Sequence, residues 1–285
     1  MPDFPIVDAH LHLWDPTAMR MLWIAGDPLL DRVYGLADYR EHTAGIDIAA
    51  MVYVQVEVEP VYALLEARWA HRRAAADPRL GAIVAHAPLA HGATIRTYLD
   101  ELVRVGPLVR GVRQVTQGEP DPDYVAQPRF VEAARILPAY GLTCDLCVKH
   151  PQLPAVIALV RQCPDTAFIL DHIGKPDIAA GLLEPWRDQI RALAELPNVR
   201  CKLSGMVSEA DVRRWTADDL RPYVETVLAA FGEDRVLFGG DWPVVLGAST
   251  YRRWVETLDQ LTGGLTATQR RKLWADNART YYRLP

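Results

Sequence analysis

The chain has 285 residues, half of them hydrophobic and 24% charged, with 31 Lys and Arg against 36 Asp and Glu and a formal net charge of −5. That is the composition of a soluble globular protein, not of a disordered, collagen-like or membrane chain. An acidic balance leaves no cationic surplus to neutralise a phosphate backbone, which argues against nucleic acid and anionic membranes as partners.

Eight short β-branched or apolar runs recur along the chain: Ile6 to His10, Ala50 to Glu57, Leu80 to Ala87, Leu108 to Val115, Thr143 to Val148, Ala167 to His172, Val199 to Gly205 and Val236 to Asp241. Several are almost wholly apolar, as strands buried on both faces of a parallel sheet are. Segments with helical spacing stand between them. Ala155 to Cys163 is one; Pro185 to Leu196 is another, opened by a proline that a first helical turn tolerates. A third begins at Thr216-Ala-Asp-Asp219, a capping box with Asp in place of Glu or Gln, and stops at Gly232. A prior of roughly 150 residues per domain would suggest two domains. Eight strand–helix units with no Gly/Ser-rich or Pro-rich linker instead predict one α/β domain over residues 1–285, a single (β/α)8 TIM barrel. A doubly wound open sheet would announce a glycine-rich phosphate loop after its first strand. Here that strand ends in histidines.

No stretch approaches the roughly 18 apolar residues that span a bilayer, and the N-terminus lacks a basic-then-apolar leader, so a cytoplasmic address is expected. The four cysteines, Cys144, Cys147, Cys163 and Cys201, do not make a disulfide framework. Cys144 and Cys147 spell C-x-x-C, but residues three apart in an extended strand point to opposite faces, and both read as packed thiols.

Asp8-Ala9-His10-Leu11-His12 carries the most chemistry. Residues two apart on a strand share a face, so Asp8, His10 and His12 are expected to project together, the imidazoles forming a pincer for a zinc-like cation and Asp8 orienting one of them. Chemistry-capable groups also end other strands: Arg113 the fourth, Lys149 and His150 after the fifth, His172 the sixth, Lys202 and Ser204 the seventh, Asp241 the eighth. In a barrel these ends converge on the face where active sites lie. Asp241, between two glycines and a Trp-Pro pair, could bind a metal or take a proton from attacking water. His172 could be a further ligand or a donor to a carbonyl. Glu57 and Glu59 are weaker candidates for ligation or substrate binding. His86 could face the barrel or pack in its core, and His42, His71 and His91 read as surface or packed residues.

With these residues in place, the chain resembles the amidohydrolase superfamily, in particular its amidohydrolase 2 group with sugar-lactone hydrolases. The matching stretches are VDAHLHLWDP (7–16), LVRGVRQVTQGEPDPDY (108–124), ILDHIGKPDI (169–178), LPNVRCKLSGMVSEAD (196–211), VLFGGDWPVV (236–245) and NARTYY (277–282). The resemblance implies one divalent metal ion, zinc-like, at His10, His12 and Asp241, with His172 close by. It also implies Asp241 as the base and Arg113, Lys149 and His150 on the substrate's oxygens. Arg113 stands where binuclear relatives place a bridging lysine or glutamate, which implies one ion at most, and a related lactonase branch works without metal. The expected reaction is hydrolysis of a small-molecule aldonolactone, such as L-fucono- or L-rhamnonolactone, to its hydroxy acid. Lys202 is a further candidate for oxyanion or hydroxyl binding, and Trp14 and Trp242 would offer flat faces to the sugar ring. Decarboxylation of an aromatic or unsaturated acid and lactone isomerisation are the alternatives on this scaffold. A homo-oligomer is compatible with the reading, and the loop from Trp14 to Leu36 is expected to cover the site.

Overall fold

Residues 1–284 are described here from a computed structural model. Their strands are β1 (Ile6–Leu11), β2 (Ile48–Val54), β3 (Leu80–His86), β4 (Val109–Val115), β5 (Thr143–Cys147), β6 (Phe168–Leu170), β7 (Val199–Leu203) and β8 (Val236–Phe238), one for each sequence-predicted run. All neighbouring pairs are parallel and the order in the sheet is β1 to β8. The sheet closes where the chemistry lies. Leu11 and Trp242 form a parallel bridge, the Asp241 N–H donates to the His10 carbonyl at 2.8 Å, and the His12 N–H donates to the Trp242 carbonyl at 2.8 Å. This is a single (β/α)8 TIM barrel.

The helices are α1 (Leu36–His42), α2 (Ala63–Ala74), α3 (Arg96–Val103), α4 (Pro128–Ile136), α5 (Leu153–Gln162), α6 (Trp186–Ala194), α7 (Ala217–Phe231), α8 (Tyr251–Leu261), α9 (Ala267–Arg271) and α10 (Asn277–Tyr282). At the start of α7 the Asp219 carboxylate accepts from both the Thr216 N–H and its hydroxyl, at 2.7 and 2.9 Å, and Gly232 ends the helix at φ 69°. Aliphatic side chains fill the barrel interior, among them Val7, Ala9, Val52, Val84, Ile169 and Leu237, and Tyr281 and Tyr282 of α10 pack against them. The larger apolar core lies between the strands and the helices. All four cysteines are buried free thiols. No helix among the described residues is long and apolar enough to cross a membrane.

Strands β2, β6 and β8 are shorter than the sequence suggests. The sequence puts Glu57, His172 and Asp241 at strand ends, yet each lies beyond its strand with φ near +55°, at 55°, 53° and 53°. A left-handed residue cannot continue a ladder, so the chain turns at the residues whose side chains must reach the barrel axis.

Candidate active site

One extra residue in β1 decides which way its side chains point. Asp8 pairs with Met51 and Leu11 with Tyr53, so three steps along β1 match two along β2. Such a bulge breaks the alternation of faces, and the expectation that Asp8 projects with His10 is corrected. Asp8 points outward, where its carboxylate accepts from the Tyr39 and Tyr251 hydroxyls at 2.9 Å each and from the Gly240 N–H at 2.8 Å. His10 points inward. Asp171, not Asp8, lies beside its ring, with Oδ1 3.4 Å from His10 Nδ1.

His10 and His12 meet at their Nε2 atoms, 3.2 Å apart, and Asp241 Oδ1 is 3.7 Å from the first and 3.4 Å from the second. The β8 end reaches them because Gly239 has no side chain: a Cβ there would lie 2.7 Å from the His10 Cβ. Two ligand atoms held about 2.0–2.1 Å from a tetrahedral ion stand about 3.3 Å apart, close to these spacings. His12 Nδ1 donates to the Val54 carbonyl at 2.8 Å, which leaves its Nε2 lone pair facing the cluster. The His172 Nε2 is 3.9 Å from Asp241 Oδ1, while its Nδ1 meets the Ser204 hydroxyl at 2.9 Å. Burial holds the His10 and His172 imidazoles well below their ordinary range, so both are neutral near pH 7. Burial alone would raise Asp241, but His172, His12 and Lys175 outweigh it and keep the carboxyl below its usual value, hence ionised. Neutral imidazoles beside an ionised carboxylate are the donor set of a divalent-cation site.

Behind His10 lies a buried ionic chain. Lys202 Nζ contacts Asp145 Oδ2 at 2.6 Å and Asp171 Oδ1 at 2.9 Å, and it is 3.3 Å from His10 Nδ1. The Tyr282 hydroxyl donates to the same Asp145 oxygen at 2.8 Å. Arg113 spends Nη1 on Asp171 at 2.9 Å and Nη2 on the Gln55 carbonyl at 2.6 Å. Burial would discharge Lys202, but Asp145 and Asp171 hold it protonated. Lys202 is fully buried among Asp145, Asp171 and His10, which places it behind the cavity and not in its lining.

A cavity opens above this floor. His12, His172, Arg113 and Asp241 form its base, Trp23, Val56, Val115 and Val244 an apolar wall, and Glu57, Gln117, Cys147 and Lys175 a polar one. Trp14 and Trp242 do not face it. The Trp14 ring is enclosed by Trp23 and Tyr34 and donates Nε1 to the Arg32 carbonyl at 2.9 Å, and Trp242 sits among Tyr34, Tyr39 and His42. Both are fully buried, so packing has taken the faces expected to hold a sugar. The exposed Trp23 lines the cavity instead, its Nε1 donating to the Val56 carbonyl at 2.8 Å, and it brings part of the 14–36 loop there. Lys149 and His150 lie outside the lining because the chain turns away after β5, and Glu59 pairs with Arg20 at 3.7 Å. His86 ends β3 away from the cavity, its imidazole pushed down to about 4 by burial and by Arg113. Trp23, Gln117 and Lys175 in the lining, and Asp145 and Asp171 beneath it, are not among the sequence-predicted site residues. A charged residue in the apolar run Thr143-Cys-Asp-Leu-Cys147 was the available signal for Asp145.

The turn after β2 that carries Val56 and Glu57 is tied to α2. The buried Glu66 Oε1 accepts from the Val56 N–H at 2.7 Å and from the Tyr53 hydroxyl at 2.8 Å. Burial pushes this carboxyl from 4.5 up to about 7. The native protein thus keeps a proton that the unfolded chain has released, and the associated stability is complete below about pH 4.5 and lost as pH rises through 7. Glu66→Gln, which retains the accepting oxygen, is expected to flatten that decline in urea unfolding followed from pH 5 to 8. A parallel decline in the variant would remove Glu66 as its source.

The chain matches the amidohydrolase family description over residues 7–284. It is 34% identical to the L-fucono-1,5-lactonase of Burkholderia multivorans, across 98% of this chain and 96% of that one. It is 23% identical to the L-rhamnono-gamma-lactonase of Scheffersomyces stipitis, with both chains fully covered. Among solved structures, a zinc-bound amidohydrolase from Burkholderia multivorans superposes with a TM-score of 0.89 at 32% identity, covering 99% of this chain and 100% of that one. The chain belongs to the amidohydrolase family.

Proposed function

We infer that the protein hydrolyses a sugar-derived lactone, an aldonolactone, to the open hydroxy acid. The observation that carries this reading is the convergence of His10 Nε2, His12 Nε2 and Asp241 Oδ1, 3.2–3.7 Å from one another, with His12 and Asp241 lining the floor of a half-apolar cavity. The lactonase relatives support it. His10, His12 and Asp241 would hold one divalent, zinc-like ion, with His172 beside it. Such an ion supplies positive charge that polarises a carbonyl and brings the pKa of a water towards about 7. A second donor set, His10, Asp171 and His172, is less suited to an ion, because the Lys202 ammonium and the Arg113 guanidinium already neutralise Asp171.

Asp241 is ionised and lies at the cavity floor, so it is the base. As the water oxygen bonds to the lactone carbonyl carbon, Asp241 takes a water proton and the carbonyl π pair moves onto its oxygen. When the tetrahedral carbon collapses, the C–O bond to the ring oxygen breaks, and that oxygen takes the proton from Asp241. Arg113 acts from below: it fixes Asp171 and, through it, the His10 ring. Trp23, Val56, Val115 and Val244 exclude water from one side of the substrate, and Glu57 and Gln117 offer hydrogen bonds to its hydroxyls.

A panel of aldonolactones followed with a pH indicator, on zinc-loaded and chelated protein, tests this reading. Acid release that zinc restores is the expected result. Carbon dioxide release from an aromatic or unsaturated acid, with every lactone untouched, would replace it with decarboxylation.

A further inference from the structure

Four consecutive residues after β6, His172, Ile173, Gly174 and Lys175, have φ of 53°, 52°, 73° and 47°. The Lys175 N–H donates to the His172 carbonyl at 2.9 Å, so they form one left-handed turn closed by a bond between residues three apart. In a turn with that bond, the first and fourth side chains lie over one another. His172 and Lys175 accordingly reach the same cavity.

Left-handed backbone disfavours every residue but glycine, and a β-branched one most. The surroundings secure it all the same. Ile173 is fully buried and its carbonyl accepts from Trp186 Nε1 at 2.8 Å, while the His150 N–H donates to the Lys175 carbonyl at 3.4 Å. A Cβ at Gly174 would stand 2.9 Å from Leu153 Cδ2. Strain held in this way at a cavity wall points to a placement that matters for function.

The placement delivers a cation with donors to spare. Among the described residues, the carboxylate paired with Lys175 is Glu209, whose Oε1 is 3.5 Å from Nζ, too far for a strong hydrogen bond. Arg113, the other cation in the lining, has both terminal nitrogens committed to Asp171 and Gln55. Lys175 and Asp241 line one cavity, and no ion pair within 4.0 Å among the described residues joins them.

We propose that Lys175 is a catalytic residue whose ammonium donates a hydrogen bond to the carbonyl oxygen of the substrate and stabilises the oxyanion that forms as water adds. This rests on the lactone-hydrolysis reading above. No proton passes from Lys175: the π pair goes to the oxygen, the N–H stays intact, and the leaving ring oxygen takes its proton from Asp241. The donor is needed most in the transition state, so its loss falls on kcat rather than KM.

The test compares Lys175→Met, Lys175→Arg and Glu209→Gln on the lactone that the wild-type enzyme opens fastest, with melting curves for all. Removing a single oxyanion donor costs about 10²–10³-fold in kcat. Lys175→Met is expected to lose that much with KM changed by less than about threefold, Lys175→Arg to recover part of it, and Glu209→Gln to keep kcat within about threefold of wild type. Full kcat in Lys175→Met would overturn the assignment, and so would an equal loss in Glu209→Gln, which would make the ion pair the operative feature. A wild-type enzyme that opens no lactone would instead fail the reading on which the assignment rests.

Discussion

Asp241→Asn is expected to lower kcat/KM for lactone opening by about 10³-fold or more while leaving the circular dichroism spectrum unchanged. Loss of a positioned general base alone costs about 10²–10⁴-fold. Here the same carboxylate is one of three atoms spaced for a cation, so cation affinity falls with it. The fold should persist because Asn is isosteric and the backbone contact that closes the barrel, Asp241 N–H to the His10 carbonyl at 2.8 Å, does not involve the side chain. Steady-state kinetics at saturating zinc separates the two losses: added zinc restores weakened binding but cannot restore a missing base. An Asn variant with wild-type kcat would mean that the water proton goes elsewhere.

Lys202→Met is expected to give the largest loss of stability. Asp145 would be left as a fully buried carboxylate without its cation, and Asp171 would keep Arg113 alone. Breaking a buried pair by removing one partner costs about 3–5 kcal/mol. For a chain of this size that corresponds to a melting point lower by roughly 6–20 °C. Adding Asp145→Asn should recover part of the loss, because Asn still accepts from the Tyr282 hydroxyl and removes one unpaired charge. Urea unfolding of the single and double variants measures both. A single-variant loss below about 1 kcal/mol would show that the chain of charges behind His10 contributes little to the fold.

The barrel was legible in the sequence because parallel strands buried on both faces read as apolar runs, and all eight lie where those runs do. The conjunction of His10 and His12 with Asp241 was legible too, since residues from the first and last strands meet once the sheet closes. Positions that depend on one residue of register were not. The bulge in β1 turns Asp8 outward, and nothing in Val7-Asp-Ala-His10 announces an extra residue. The same local geometry hid Lys175, whose reach into the cavity depends on a left-handed turn rather than on a strand end. Trp14 and Trp242 misled for a different reason: an aromatic residue beside a site can stack on a ligand or on its neighbours, and here Tyr34 and Trp23 have taken the Trp14 ring. Lys202 shows the converse, a charged residue near a strand end that serves the interior because two carboxylates wait for it there.

In the proposed reaction water, positioned over His10, His12 and Asp241, adds to a lactone carbonyl. Single-turnover reaction of zinc-loaded enzyme with an aldonolactone in ¹⁸O-labelled water follows that oxygen into the product. The predicted product is the open hydroxy acid with one ¹⁸O in its carboxylate and none in the hydroxyl that was the ring oxygen. A product that is still a lactone, that has lost carbon dioxide, or that carries the label in the former ring oxygen would contradict it.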